Sequence, residues 1–142
     1  QKLSTVLLGP NTLIQSSIPS ILFETPDKYY DELNEKLSRQ SALLYNALND
    51  IEALKPIKGR GAIFLMVKIE VNKLHGIKND IDFANKLLRE QGVLVLPGTI
   101  FGIANYFRAV ICPPPHIIAE IGKRMKEFCE KYSVNNAKVS KL

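Results

Sequence analysis

The stretch VLVLPGTIFGIANYFRAVIC, from Val93 to Cys112, constrains the fold more than any other part of the chain. Two short apolar runs, Val93–Leu96 and Phe107–Cys112, read as strands. They flank a loop punctuated by Pro97, Gly98 and Gly102. Arg108 lies inside the second run. Burying a guanidinium is costly unless an anion meets it. Either Arg108 sits on a wet face, or the chain folds around it to present a positive charge in a cleft. The second arrangement is our expectation; an arginine at a sheet edge, paired with a surface acid, is the plain alternative.

A length of 142 residues suits one domain, or one domain plus a piece of another. With 46% hydrophobic and 23% charged residues, the composition is that of a soluble globular protein. No apolar run approaches the ~20 residues that cross a membrane, and no leader with a basic start and an apolar centre opens the chain. The first residue is Gln1 and the chain starts in mid-pattern, so we expect a fragment lacking its amino-terminal part. The net charge of +5 comes from basic residues interleaved with acids, which reads as a solvated surface more than a nucleic-acid footprint. Only the last ten residues, with Lys138 and Lys141 and no acid, form a basic tail. Cys112, in an apolar run, and Cys129, on the inner face of a helix, read as reduced core residues of an intracellular protein. His75 and His116 have no ligand-spaced partners, so no metal site is expected.

Taken in order, Asn11 and Thr12 give a cap signal and Thr12–Leu22 reads as helical, with Pro19 kinking it or opening a second turn. Thr25-Pro26-Asp27 starts a long helix to about Ile51, with an apolar stripe of Tyr30, Leu33, Leu37, Leu44, Leu48 and Ile51. A helix of that length is expected to span two domains. Leu54–Ile57 is a short strand, Gly59-Arg60-Gly61 a turn, and Ala62–Ile69 a strand apolar enough to be buried on both faces. Glu70–Lys78 reads as a loop. A helix capped by Asn79 or Asp80 runs to about Glu90, with Ile81, Ala84, Leu87 and Leu88 inward, and Gln91-Gly92 ends it. The last helix opens at Pro113–Pro115; its inner stripe is Ile117, Ile121, Met125, Phe128 and Tyr132, while Lys123, Arg124, Lys126 and Lys131 face water. The order from residue 54 is strand, strand, helix, strand, strand, helix, which predicts an α+β layer: one small sheet covered by helices and preceded by a long helix.

No phosphate-cradling or dinucleotide-binding glycine loop, paired histidine and acid, or defensible nucleophile set is present. What the residues offer is Arg108, whose forked donors suit a planar carboxylate.

The order and spacing of several motifs carry a resemblance. Pro97-Gly98, Phe101-Gly102 and Arg108-Ala109-Val110-Ile111 resemble the carboxyl-terminal region of fold-type I, pyridoxal-phosphate-dependent aminotransferases of class I/II. Gly61-Ala62-Ile63-Phe64-Leu65-Met66-Val67 looks like that family's Gly-x-x-Phe-Leu-x-Val strand, and Lys126-Glu127-Phe128-Cys129 sits where a closing helix belongs. Leu7-Leu8-Gly9-Pro10-Asn11-Thr12-Leu13-Ile14-Gln15 is similar to the tyrosine aminotransferase branch. The likeness runs to about Tyr132.

The resemblance implies that residues 1–24 end a large cofactor-binding domain, 25–53 form an interdomain helix, 54–132 form the small domain, and 133–142 form a tail. It implies amino transfer between an amino acid, tyrosine or another aromatic one, and a 2-oxo acid. The implied cofactor is pyridoxal 5′-phosphate, bound mainly upstream of this chain, and the implied assembly is a homodimer. Arg108 matches the residue that binds the substrate α-carboxylate; Gly61, Phe64, Phe101, Asn11 and Thr12 match positions lining the cleft. The Schiff-base lysine falls upstream, so no catalytic residue is expected here and the isolated chain is expected to be inactive. The same arginine would serve an alanine aminotransferase or a lyase of this fold. A basic α+β binding module is the reading from a different class, but Ala62–Ile69 is too apolar for a nucleic-acid face. No nucleic-acid or membrane partner is expected. The expected location is cytoplasmic, or peroxisomal if Ser140-Lys141-Leu142 is the true terminus.

Overall fold

The computed structural model describes residues 9–135. The chain divides into two compact units, Gln1–Glu35 and Lys36–Leu142. In the first, helix α1 (Thr12–Glu24) begins at Asn11, whose side-chain oxygen accepts from the Leu13 N–H at 2.9 Å. It is one helix with Pro19 inside it, and none of its residues is buried. Helix α2 (Asp27–Asn49) starts where Thr25-Pro26-Asp27 predicts and continues into the second unit. Tyr30 and Leu33 of its predicted stripe are exposed, whereas Leu44 and Leu48, with Ile51 just beyond the helix, are buried. Gln40 lies on the buried side of α2 because it has partners there: its amide donates to the Pro113 carbonyl at 2.7 Å.

In the second unit, β1 (Leu54–Pro56), β2 (Phe64–Ile69), β3 (Leu96–Pro97) and β4 (Tyr106–Val110) form one antiparallel sheet in the order β1-β2-β4-β3. Helices α3 (Asp80–Gln91) and α4 (Pro115–Lys131) complete the unit. Leu65, Val67 and Ile69 of β2 and Phe107 and Ala109 of β4 share the core with Phe83 and Leu87 of α3 and Ile118, Met125 and Phe128 of α4. The Phe83 ring stacks on Phe107 at 5.5 Å between centroids and meets the Phe128 ring edge-on at 5.3 Å. Asn79 caps α3 by accepting from the Asp82 N–H, and Gly92 ends it in the left-handed region at φ 64°.

Several expectations give way. The strand at Ala62–Ile69 is not buried on both faces: β2 alternates, with Leu65, Val67 and Ile69 buried and Lys68 exposed. One face packs on the core and the other carries Phe64 and Met66, half-buried, so an apolar composition there serves a second environment. In α3 the inward residues are Asp80, Phe83, Ala84 and Leu87, while Ile81 and Leu88 are exposed. A 3.6-residue period starting at Asp80 instead of Ile81 rotates the buried face by one residue. The same rotation in α4 buries Ile118, Gly122 and Cys129 and leaves Ile117 exposed. Gly122 fits there because a Cβ would stand 2.8 Å from the Ala47 Cβ. The expected loop Glu70–Lys78 contains a 3-10 turn at Val71–Lys73. Cys112 is exposed, not core: it lies beyond β4 and falls out of step with the alternation that buries Phe107, Ala109 and Ile111.

Cys129 is buried, and that burial, reinforced by Glu130, pushes its thiol up to about 12. Only the thiolate alkylates readily. In the folded chain iodoacetamide is therefore expected to modify Cys112 and leave Cys129 intact, with Cys129 reacting on addition of denaturant; mass spectrometry of peptides reads both sites.

Candidate functional site

The site is built on β4, an interior strand between β2 and β3. Side chains alternate along a strand, so Phe107 and Ala109 enter the core while Arg108 stands on the opposite face, opposite Met66 of β2 and Leu96 of β3. Phe64, in register with Val110, emerges on that same face. The Arg108 guanidinium carbon lies 4.8 Å from the centre of the Phe64 ring and 4.7 Å from that of Phe101. Two aromatic rings therefore hold the cation by their negative faces. Its Nε is buried and has no hydrogen-bond partner. Among the described residues no acid pairs with Arg108; the ion pairs lie elsewhere, as in Lys73 with Glu52 and Glu70 or Lys131 with Glu90. The sheet-edge alternative is thereby overturned: the strand is interior and the surface acid is missing.

Phe101 reaches Arg108 from the loop between β3 and β4, which opens with a 3-10 turn at Gly98–Phe101. At Gly98 a Cβ would stand 2.3 Å from the Ile103 carbonyl oxygen and 2.8 Å from the Tyr106 Cβ, so the backbone folds back too closely for any side chain. Gly102 follows at φ 79°, in the left-handed region that glycine occupies without strain. Asn105, at φ 61°, delivers the chain into β4.

Asp80, expected only as an alternative cap of α3, fastens this loop. Only 1% exposed, its carboxylate accepts from the Thr99 N–H at 2.7 Å, the Thr99 hydroxyl at 2.9 Å and the Asn105 N–H at 3.3 Å. Burial pushes its pKa up, but the bonds from Thr99 and Asn105 outweigh that and hold the carboxyl below its ordinary value. The available signal was the pair Asn79-Asp80: one residue suffices to cap α3, and the second is surplus to that task.

Of the other residues matched by resemblance, Phe64 and Phe101 come together at Arg108. Gly61 lies in an exposed bend before β2. Asn11 caps α1 and Thr12 is the first residue of that helix, both in the first unit. Ser140-Lys141-Leu142 lies outside the described residues.

A lysine suited to hold pyridoxal phosphate must be sheltered and have a lowered pKa. No described lysine is buried. Lys73 is half-buried, but its pKa is raised chiefly by its bond to Glu52. Lys86, also half-buried, donates to the Gly76 carbonyl and to Asp82. The described residues do not fit the anchoring of that cofactor.

The arrangement defines a class through its fold. It superposes on a tyrosine aminotransferase from Leishmania infantum with a TM-score of 0.81, at 27% identity, over 93% of this chain and 32% of that one. An alanine aminotransferase from Pyrococcus furiosus gives 0.78 at 32% identity, over 92% and 33%. The model of the class I and II aminotransferase family matches residues 2–122, and the chain belongs to that family. Among curated proteins, the tyrosine aminotransferase of Mus musculus is 40% identical over 131 residues, 92% of this chain. The chain spans 29% of the length of that relative. Among the described residues no helix is long and apolar enough to cross a membrane.

Proposed function

We propose that this chain supplies the substrate-gripping part of a pyridoxal-phosphate-dependent aminotransferase, with Arg108 binding the α-carboxylate. The observation that carries the reading is a half-buried guanidinium in contact with two rings, its Nε buried without a hydrogen-bond partner and no described acid paired with it. Such a group attracts an incoming carboxylate, because part of its solvation, at the buried Nε, has already been given up in the fold. An amino acid and a 2-oxo acid share that carboxylate, so one cation serves both half-reactions. Fixing it orients the rest of the substrate before any bond changes, which is a positioning effect. The cofactor, when bound, supplies the electron sink; its lysine comes from outside the described residues. Residues up to about 24 belong in this reading to the cofactor-binding domain and 54–132 to the small domain, in a homodimer.

The 40% identity to a tyrosine aminotransferase supports an aromatic amino acid as donor. The alanine aminotransferase neighbour at 32% identity supports the second reading. The full-length enzyme, assayed with tyrosine and with alanine against a common 2-oxo acid, is expected to give the higher kcat/KM for tyrosine. Preference for alanine moves the assignment to the second reading, and failure to consume either overturns the aminotransferase reading. The 142-residue chain alone, mixed with pyridoxal phosphate, is expected to retain none after desalting; stoichiometric retention defeats the placement of the cofactor lysine elsewhere.

A further inference from the structure

We infer that Asp80 is a positioning residue for Arg108, acting through Thr99 and the ring of Phe101; this rests on Arg108 being the carboxylate-binding group. The chain of contact is short. One buried carboxylate grips the loop at Thr99 and again at Asn105, and Phe101 lies between the two grips. Asn105 is fixed from its other side as well, because its carbonyl accepts from the Ile69 N–H at the end of β2. Within the loop the Gly102 N–H bonds to the Thr99 carbonyl and the Ile103 N–H to that of Gly98. The loop is thus clasped to α3 and β2. Its exposed product is a single ring, 45% accessible, laid on the guanidinium.

That ring is not a core residue, so its placement is not explained by burial. It adds a second aromatic contact to a cation that already lies on Phe64, a residue of the sheet itself. Two rings against the guanidinium narrow the approach of an anion to the edge that carries its donors. A planar carboxylate meets that edge in one orientation. The carboxylate of Asp80 thereby sets the plane in which the substrate carboxylate is received, without touching it. Were the loop free, Arg108 would keep its charge but lose the fixed plane, and part of the binding would be lost to ordering the side chain.

The experiment compares variants in the full-length enzyme. Asp80→Asn and Phe101→Leu are each expected to raise the KM for amino acid by about fivefold to thirtyfold, the range of a partly desolvated cation–π contact, with kcat changed by less than about threefold. Phe101→Tyr keeps the ring and is expected to restore the KM. Thr99→Val, which loses only the hydroxyl bond, is expected to fall between wild type and Asp80→Asn, and Thr99→Ser to behave as wild type. A residue that merely stabilises the fold gives the other pattern, fewer active molecules and a lower apparent kcat at unchanged KM. That pattern, or a KM within twofold of wild type in Phe101→Leu while Arg108→Ala raises it, overturns the inference and leaves the carboxylate assignment standing. An unchanged KM in Arg108→Ala overturns both. If Asp80→Asn does not fold, the Thr99 pair and the 142-residue chain decide the matter. In that chain the Arg108 Hε resonance, shielded by the two rings, is expected to move downfield in Phe101→Leu and in Thr99→Val; an unmoved resonance overturns the clamp.

Discussion

Arg108→Ala in the full-length enzyme is expected to lower kcat/KM for amino acid by two to four orders of magnitude, about 3–5 kcal/mol of transition-state stabilisation. The size follows from what is removed. In the proposed role the guanidinium would meet a charged carboxylate by paired, charge-assisted hydrogen bonds, beside the two rings that already lie on it. Losing it also releases the substrate from its orientation, so turnover falls with affinity. Phe64 and Phe101 do not compensate, because rings offer a carboxylate no donor. Arg108→Lys keeps the charge but not the planar fork, and is expected to recover only part of the loss. Steady-state kinetics with a fixed 2-oxo acid measures both; near-normal values for Arg108→Ala remove this residue from the site.

Phe83→Ala is expected to produce the largest loss of stability, about 3–5 kcal/mol. Phe83 is fully buried, stacked on Phe107 of β4 and edge-on to Phe128 of α4. Removing it leaves a cavity at the point where sheet and both helices meet. For a folded unit of this size the loss corresponds to a fall in Tm of roughly 12 °C or more. Ile81→Ala, two residues away, is the control: Ile81 is 43% exposed, and its truncation is expected to cost less than about 1 kcal/mol. Urea titration of both variants separates them. Equal losses would contradict the buried face assigned to α3.

The contrast between Phe83 and Ile81 shows how far one sequence carries. Apolar spacing announces that residues 80–91 form an amphipathic helix, and Gly92 fixes its end. It does not settle which of two adjacent stripes is buried, because Ile81, Phe83, Ala84, Leu87, and Leu88 are apolar on both. The sheet decides, by presenting Phe107 to one of them. An acid at the inner edge of that stripe then reads from sequence as a capping residue, whereas in the fold Asp80 meets three donors from a loop about twenty residues downstream. Local rules do not see such partners. The same limit applies to Arg108. A cation in an apolar run signals a site, but the ring of Phe101 reaches it only because the loop folds back at Gly98.

By itself the sequence determined the element order, the α+β class, the long helix start at Thr25-Pro26-Asp27, the glycine that ends α3 and the anomaly of a cation, Arg108, in an apolar run. These follow from periodicity, cap chemistry and the cost of a buried charge, all of which act over a few residues. Only the tertiary structure decided that β4 is interior, that no described acid pairs with Arg108, and that Asp80 holds the loop which closes on it. Those facts depend on contacts between residues distant in the chain, and their energies exist only once the sheet and its helices are in place.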